Sequence, residues 1–517
     1  MQHMTKDVRS VLRFAVITRL LSLLLQALLN CAIPDHEADA FSPPPAENPL
    51  LLNPITEVLL GGLGRWDAQH FLFIAERGYV FEHNFAFFPL LPVVLRSVAA
   101  GLLWPLSPWL TLHGRLLLAV ALVNSVLFVL SAVALYGLGC LVLRDRRLSL
   151  LSALLYCLTP ANVFLMAGYS ESLFAALTFG GLWLLERGAT AKACLVLGLA
   201  TGARANGLVN GGYLLYLPLQ RALCQAKKLS RDPGDKWRSL RYAWIAIRFM
   251  ATAAVGVSVI SLPFGVFQYY GYKTFCEQSS TQGSVSPSLL TLAQQKGYRV
   301  PDAASPMPPW CLKPLPLLYS YIQDAYWDVG FLKYFQLKQI PNFLLALPVT
   351  TLGLLAPYVY FTSDPEYCLW LGLFNRHAKE KEEKPPSGFY SRKVFVYVVH
   401  ATVLLLSGLF CMHVQVLTRF LGSSSPVIYW ISAHLLVSQE PLLVEDHTAA
   451  CVIEKKERIP NNISLFGMAW TRLDHNPITE LLNQWGSCSF RSHCILGYFL
   501  SYWVVGLALH CNFLPWT

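Results

Sequence analysis

The chain has 517 residues, 54% hydrophobic and 14% charged, whereas soluble domains carry about 25% charged residues. So few charges cannot supply polar shells for the several cores a soluble chain of this length needs, which excludes a soluble multidomain protein. The net charge of +10 is divided among short separate segments rather than gathered on one stripe, which excludes a nucleic-acid surface.

Apolar runs of about 20 residues recur instead, and they predict an all-α polytopic membrane protein. Residues 1–33 read as a cytosolic start and a first span. Val11 to Ile33 follows Lys6, Arg9 and Arg13 and lacks a small-x-small cleavage site, so it is expected to stay as a signal anchor. Residues 34–115 read as a large loop, and its segment 86–104 (with Pro89, Pro92, Arg96 and Pro105) as a helix lying on the membrane surface. The core 116–270 follows, with spans at 116–143, 148–167, 171–186, 192–205, 207–220 and 243–269. The pair at 192–220 rests on cost. One span there would put Arg204 at mid-membrane at roughly 2.5–3.5 kcal/mol, whereas a broken hairpin puts Arg204 and Asn206 at a turn. A second large loop covers 271–338. Spans at 339–361, 394–414 and 424–437 lie within 339–437, a solvated loop covers 438–493, and the last span and tail cover 494–517.

These choices give about 11 spans, and charge orients them. Of the 40 Lys and Arg, 26 fall in the segments placed in the cytosol, while the two large loops together hold ten. Lys and Arg concentrate in cytosolic loops, so both large loops, with their juxtamembrane helices, are expected in the lumen. The runs 376–393 and 438–492 read as solvated and partly disordered, and the Asn462-Ile463-Ser464 sequon as cytosolic and unused. Among 13 Cys no metal-ligand spacing occurs, so neither a metal nor another cofactor is expected. Cys276 and Cys311 share one polar loop, where an oxidising lumen would permit a bridge.

Four places carry side chains suited to chemistry. Asp67 and His70, in Trp66-Asp67-Ala68-Gln69-His70, stand about one helical turn apart; a carboxylate there can act as a general base or can simply open a helix as its N-cap. Asn84 follows in His83-Asn84-Phe85. Glu171, in Gly168-Tyr169-Ser170-Glu171, suits either a polar ligand or a helix cap. Arg204 and Asn206 need an anionic partner, which a lipid phosphate or Glu171 could supply. Gln415 and Arg419 are spaced i, i+4, and Arg419 suits a phosphate or a snorkelling contact with headgroups. The acidic and aromatic loop 319–331 suits sugar stacking or a folded cap, and His510 to Thr517 an aromatic anchor.

Several of these segments, from Trp66-Asp67-Ala68-Gln69-His70-Phe71 and His83-Asn84-Phe85-Ala86-Phe87-Phe88-Pro89 to Tyr321-Ile322-Gln323-Asp324, Val329-Gly330-Phe331-Leu332-Lys333-Tyr334 and Gln415-Val416-Leu417-Thr418-Arg419-Phe420, resemble one family. It is the class V phosphatidylinositol-glycan mannosyltransferases of glycosylphosphatidylinositol (GPI) anchor assembly, within the GT-C glycosyltransferase class. The likeness runs from Val11 to Thr517. It implies a multispanning endoplasmic-reticulum membrane enzyme that moves a second mannose, in α1,6 linkage, from dolichyl-phosphate mannose to the one-mannose GPI precursor glycolipid at the luminal face. The resemblance also implies that Asp67, as the acid of the first luminal loop, serves the reaction. His70 would then orient it or the sugar, Arg204 and Arg419 would meet the dolichyl phosphate, and Glu171 and Asn84 the sugar hydroxyls. Two other classes stay open on the residues alone: a lipid or polyprenyl-phosphate transporter, for which a broken span is typical, and a non-catalytic subunit of a glycosylation complex. No protein partner is indicated.

Overall fold

A computed structural model describes residues 2–230, 237–277, 285–301, 307–373, 386–444, 474–514 and 516. Among the described residues the regular structure is helical, with no strand. In chain order the helices are α1 (Gln2–Ala32), α2 (Asn53–Leu60), α3 (Asp67–Arg77), α4 (Leu90–Ser97), α5 (Leu112–Val142), α6 (Arg146–Cys157), α7 (Glu171–Glu186), α8 (Thr190–Ala203), α9 (Gly211–Ser230) and α10 (Arg238–Phe275). They continue with α11 (Pro287–Lys296), α12 (Leu318–Trp327), α13 (Ile340–Ser363), α14 (Pro365–Leu369), α15 (Val394–Cys411), α16 (Leu417–Ser424), α17 (Val427–Gln439), α18 (Pro441–Val444), α19 (Pro477–Asn483) and α20 (Phe490–His510).

Six of the described helices (α1, α5, α10, α13, α15 and α20) are long and apolar enough to cross a membrane. A seventh crossing results if α16 and α17, bent by 82° at Ser425-Pro426, count as one. Each of the 11 expected positions holds a helix, but α6, α7 and α8 are shorter than a full span, so length and composition do not confirm the number 11. The outward face of α10 is apolar and bare, with Trp244, Ile247, Met250, Leu262 and Val266 all exposed. A bare face of that size suits lipid rather than water. The chain is a multi-pass membrane protein.

Local chemistry sets the boundaries. Thr111 opens α5 by accepting from Gly114 N–H, and Asp145 opens α6 by accepting from Leu148 N–H. The expected span 148–167 is cut short. The helix stops at Cys157 and the chain turns through 158–170, because Pro160 lacks an N–H and disfavours helix at the residue before it. At 192–220 the chain does reverse. Gly198 faces Val259 and Gly202 faces Pro263, so α8 runs parallel to α10. Gly256 faces Leu214, and Tyr242 Oη donates to the Ala226 carbonyl, so α9 runs antiparallel to it. The turn is tight: a Cβ on Gly207 would lie 2.5 Å from the Thr201 Cα.

The expected solvated loop 438–492 needs correction where it is described. Asn476 caps α19 from Ile478 and Thr479 N–H, and Ile478, Leu481 and Leu482 are buried, so this part is packed. Asn462 lies outside the described residues, as do 231–236, 374–385 and the rest of 445–473.

One large core joins α1, α5, α6, α7, α13, α15, α17 and α20, and a second packs α3 and α4 onto α5 and the 161–174 segment. The two large loops fold together at the Asp67 end of the bundle. Buried Glu82 accepts from Trp310 Nε1 and Tyr326 Oη, both at 2.8 Å, so a residue of the first loop is held by two of the second. Gln268 Oε1 accepts from Tyr319 N–H at 2.9 Å, which ties α12 to α10. Cys276 and Cys311 form a disulfide, Cα atoms 5.6 Å apart. In the first loop, α4 leaves Val93 exposed, and Leu102, Trp104 and Trp109 beyond it are exposed as well.

Candidate active site

The site is assembled where four pieces of chain meet: the start of α3, the turn 158–170 with the start of α7, the reversal between α8 and α9, and α16. Asp67 is the first residue of α3. Its backbone N–H has no acceptor within the helix and donates to the Tyr169 hydroxyl at 3.2 Å. Its carboxylate is one-third exposed (34%) and accepts at Oδ2 from both terminal nitrogens of Arg419, each at 3.1 Å. The Arg419 guanidinium also lies 5.1 Å from the Phe164 ring centre and 5.3 Å from that of Tyr169. Stacking of this kind favours the planar guanidinium over an ammonium.

Behind Arg419 stands Glu171, fully buried at the start of α7. It pairs with Arg204 at 2.5 Å and with Arg419 at 3.9 Å. A buried carboxylate needs such partners, since leaving it alone is strongly unfavourable. Arg204 reaches it because α8 ends there in an extended residue (φ −156°, ψ 141°). The order of charges is therefore Arg204, Glu171, Arg419, Asp67. Asn206 Nδ2 donates to Ser424 Oγ at 2.9 Å, which links the α8–α9 turn to the end of α16. Gln415 Oε1 accepts from Tyr334 Oη.

These groups border a cavity of about 580 Å³. Asp67, Arg204, Asn206, Gln415 and Arg419 line it, together with Tyr319, Gln323 and Trp327 of α12 and Phe87. Leu404, Val209, Met412 and Phe420 add apolar side chains to the wall. Such a lining offers both polar and hydrocarbon contacts.

Three expected site residues lie elsewhere or act differently. His70 does not reach Asp67; its ring is stacked between Phe41 (4.3 Å) and Phe87 (4.5 Å). Burial pushes its pKa down to about 3, so it is neutral. Asn84 is buried and staples a turn by accepting from Phe81 N–H at 3.0 Å, away from the cavity. Glu171 is not a cavity wall but the anchor of both arginines. The sequence pointed past Tyr169, although it stands in the Gly168-Tyr169-Ser170-Glu171 segment, and marked His510 only as the start of an aromatic anchor; its Nε2 lies 3.3 Å from the Tyr169 hydroxyl. Among the described residues, no group of three or more His, Cys, Asp and Glu side chains is placed to hold a metal ion.

An apolar helical bundle that sets two arginines against two carboxylates, one of them fully buried, at the wall of a cavity defines a multi-pass membrane protein with a charged site. Comparison with known proteins makes this specific. The chain belongs to the mannosyltransferase (PIG-V) family, whose pattern matches residues 8–517. It is 50% identical over 509 residues to GPI alpha-1,6-mannosyltransferase 2 of Homo sapiens, covering 98% of both chains. GPI mannosyltransferase 2 of Drosophila melanogaster is 32% identical over 439 residues, covering 82% of this chain and 90% of that protein. A solved structure of the archaeal oligosaccharyltransferase AglB from Archaeoglobus fulgidus matches with a TM-score of 0.42 at 10% identity, covering 96% of this chain and 56% of that one, a likeness too slight to bear on the site.

Proposed function

We propose that this protein is the α1,6-mannosyltransferase that adds the second mannose of the GPI anchor. It takes the sugar from dolichyl-phosphate mannose and places it on the mannosyl-glucosaminyl-acylphosphatidylinositol intermediate, at the luminal face of the endoplasmic reticulum. The observation that carries the reading is the Arg419–Asp67 contact at the wall of the cavity, in a chain of this family. It sets a proton acceptor beside a phosphate-sized cation, which is what the transfer requires.

The donor mannose is β-linked to phosphate and the product is α-linked, so one displacement with inversion suffices. Asp67 takes the proton from the acceptor's 6-hydroxyl as that oxygen bonds to mannose C1. The bond from C1 to the phosphate oxygen breaks, and its electron pair leaves with dolichyl phosphate. Arg419, with Arg204 beyond Glu171, offers fixed positive charge where that leaving group develops its own. Asn206 and Gln415 border the same cavity and can receive sugar hydroxyls, while the apolar side chains of Leu404 and Val209 suit the polyprenyl chain. The scheme calls for no metal and no cofactor beyond the two lipids.

Two features support the luminal side. The Cys276–Cys311 bridge belongs to the loops that carry the site, and disulfides persist in oxidising compartments. Among the described residues, Arg146 pairs with Asp7 beyond the far end of α5 and Lys393 with Glu186 at the end of α7, away from Asp67, as basic residues of cytosolic loops would. The deciding experiment is mannose transfer by the purified protein from dolichyl-phosphate mannose to the one-mannose precursor. A transporter or a non-catalytic subunit would fail it. Asp67→Asn should abolish transfer while the protein accumulates normally, and transfer at a near-normal rate would refute the base role.

A further inference from the structure

Trp66, just before α3, has φ 56° and ψ −131°. A bulky L residue rarely takes that conformation and keeps it only where its surroundings over-determine it. Much of the support comes from residues beyond α20. The Phe513 ring meets Trp66 at an angle of 64°, centroids 5.8 Å apart, and the Arg65 guanidinium lies 5.0 Å over the centre of the same phenyl ring. The segment is tied down where the Asn512 carbonyl accepts from His36 N–H at 2.9 Å.

At the end of α20, buried His510 has Nε2 3.3 Å from the Tyr169 hydroxyl. That hydroxyl also meets the Asp67 backbone N–H. An N–H can only donate, so the Tyr169 oxygen accepts there, while its contact with His510 Nε2 runs in either direction according to the imidazole tautomer. A chain of two hydrogen bonds thus runs from His510 through Tyr169 to the first amide of α3, the helix that carries the carboxylate.

We propose that His510 and Phe513 are positioning residues for Asp67. Through Tyr169 and Trp66 they fix the start of α3 and so the direction in which the carboxylate points at the cavity. The inference rests on Asp67 being the base. Neither residue lines the cavity, so both act on turnover rather than on binding.

The test uses purified full-length enzyme with dolichyl-phosphate mannose and the one-mannose precursor, each varied in turn. His510→Leu keeps bulk and removes the hydrogen-bond partner; kcat should fall about 3- to 10-fold, the equivalent of one buried hydrogen bond, with both KM values unchanged. His510→Gln, whose amide can donate to the Tyr169 hydroxyl or accept from it, should recover most of that loss. Phe513→Ala should lower kcat in the same way. Should His510→Leu fail to accumulate, Tyr169→Phe carries the test, since it deletes the hydroxyl alone and should lower kcat by a similar factor. A full kcat in these variants, or a Gln variant no better than Leu, overturns the proposal. Asp67→Asn is assayed beside them. Transfer surviving there refutes the base reading and this inference together, whereas an inactive Asp67→Asn beside a fully active His510→Leu refutes positioning alone.

Discussion

Arg419→Lys is the substitution on which the charge arrangement can be measured. Arginine delivers two N–H groups to one carboxylate oxygen, each at 3.1 Å, while its plane rests near the Phe164 and Tyr169 rings. Lysine keeps the charge but is a point donor on a flexible stem. It stays near Glu171, whose closer partner Arg204 is untouched, so folding should be preserved. What is lost is one fixed, charge-assisted contact near the reacting atoms, worth about 1.5–3 kcal/mol. If that contact acts in the transition state, kcat falls about 10- to 150-fold. The assay is initial-rate transfer by purified enzyme at saturating acceptor with donor varied, normalised to folded protein by size-exclusion yield. A raised donor KM with unchanged kcat would mean that Arg419 only binds the donor. A variant within about two-fold of the parent in both constants would refute any electrostatic part for Arg419.

Three further outcomes concern the scaffold. His70 and His83 are buried, each with its pKa pushed down to about 3 by that burial, so an unfolded chain binds their protons first as pH falls. Their contribution is complete above about pH 6.5 and is lost from there down toward pH 3, at roughly 1.4 kcal/mol per pH unit for each; His70→Phe should flatten the fall of Tm between pH 6.5 and 4.5, and an unchanged slope would contradict it. The Cys276–Cys311 bridge closes a separation of 35 residues, so Cys311→Ser should cost roughly 3–4 kcal/mol of stability on the chain-entropy account, read as a lower Tm in detergent and as loss of reductant sensitivity. Gly207→Ala would set a Cβ 2.5–2.6 Å from the Thr201 backbone and should cost at least about 1–3 kcal/mol, read as reduced yield of folded enzyme; normal yield would show that the α8–α9 turn is looser than described.

Much of the fold could be read from the sequence because burial in lipid leaves a coarse mark. Apolar runs located the long helices of the bundle, and the cost of Arg204 at mid-membrane located a reversal at Arg204 and Asn206, where α8 ends. What escaped were features set by single residues or by distant partners. Pro160 ends α6 ten residues before the apolar run does, since hydropathy does not register a missing N–H. Segment 474–488 looked solvated because the four buried residues of α19, Ile478, Thr479, Leu481 and Leu482, are too few to stand out between charges.

The site divides in the same way. Asp67 was visible as an acid in an aromatic loop, but its partner was not, because Arg419 lies 352 residues away. His70 was drawn to Asp67 by an i, i+3 spacing, whereas the face of α3 that meets the cavity carries Asp67 and Phe71, an i, i+4 pair. The turn of 3.6 residues leaves His70 beside that face, where Phe41 and Phe87 take it. Arg204 and Glu171 were matched as a possible pair because an arginine at the membrane edge needs an anionic partner. That reasoning extends to the rest of the group. A bundle poor in charge can bury Glu171 only between cations, and two arginines there exceed what one glutamate neutralises. The surplus positive charge is balanced by Asp67 at the cavity wall, so packing the bundle and, on the proposed mechanism, preparing a place for an anionic leaving group are one arrangement of the same four side chains.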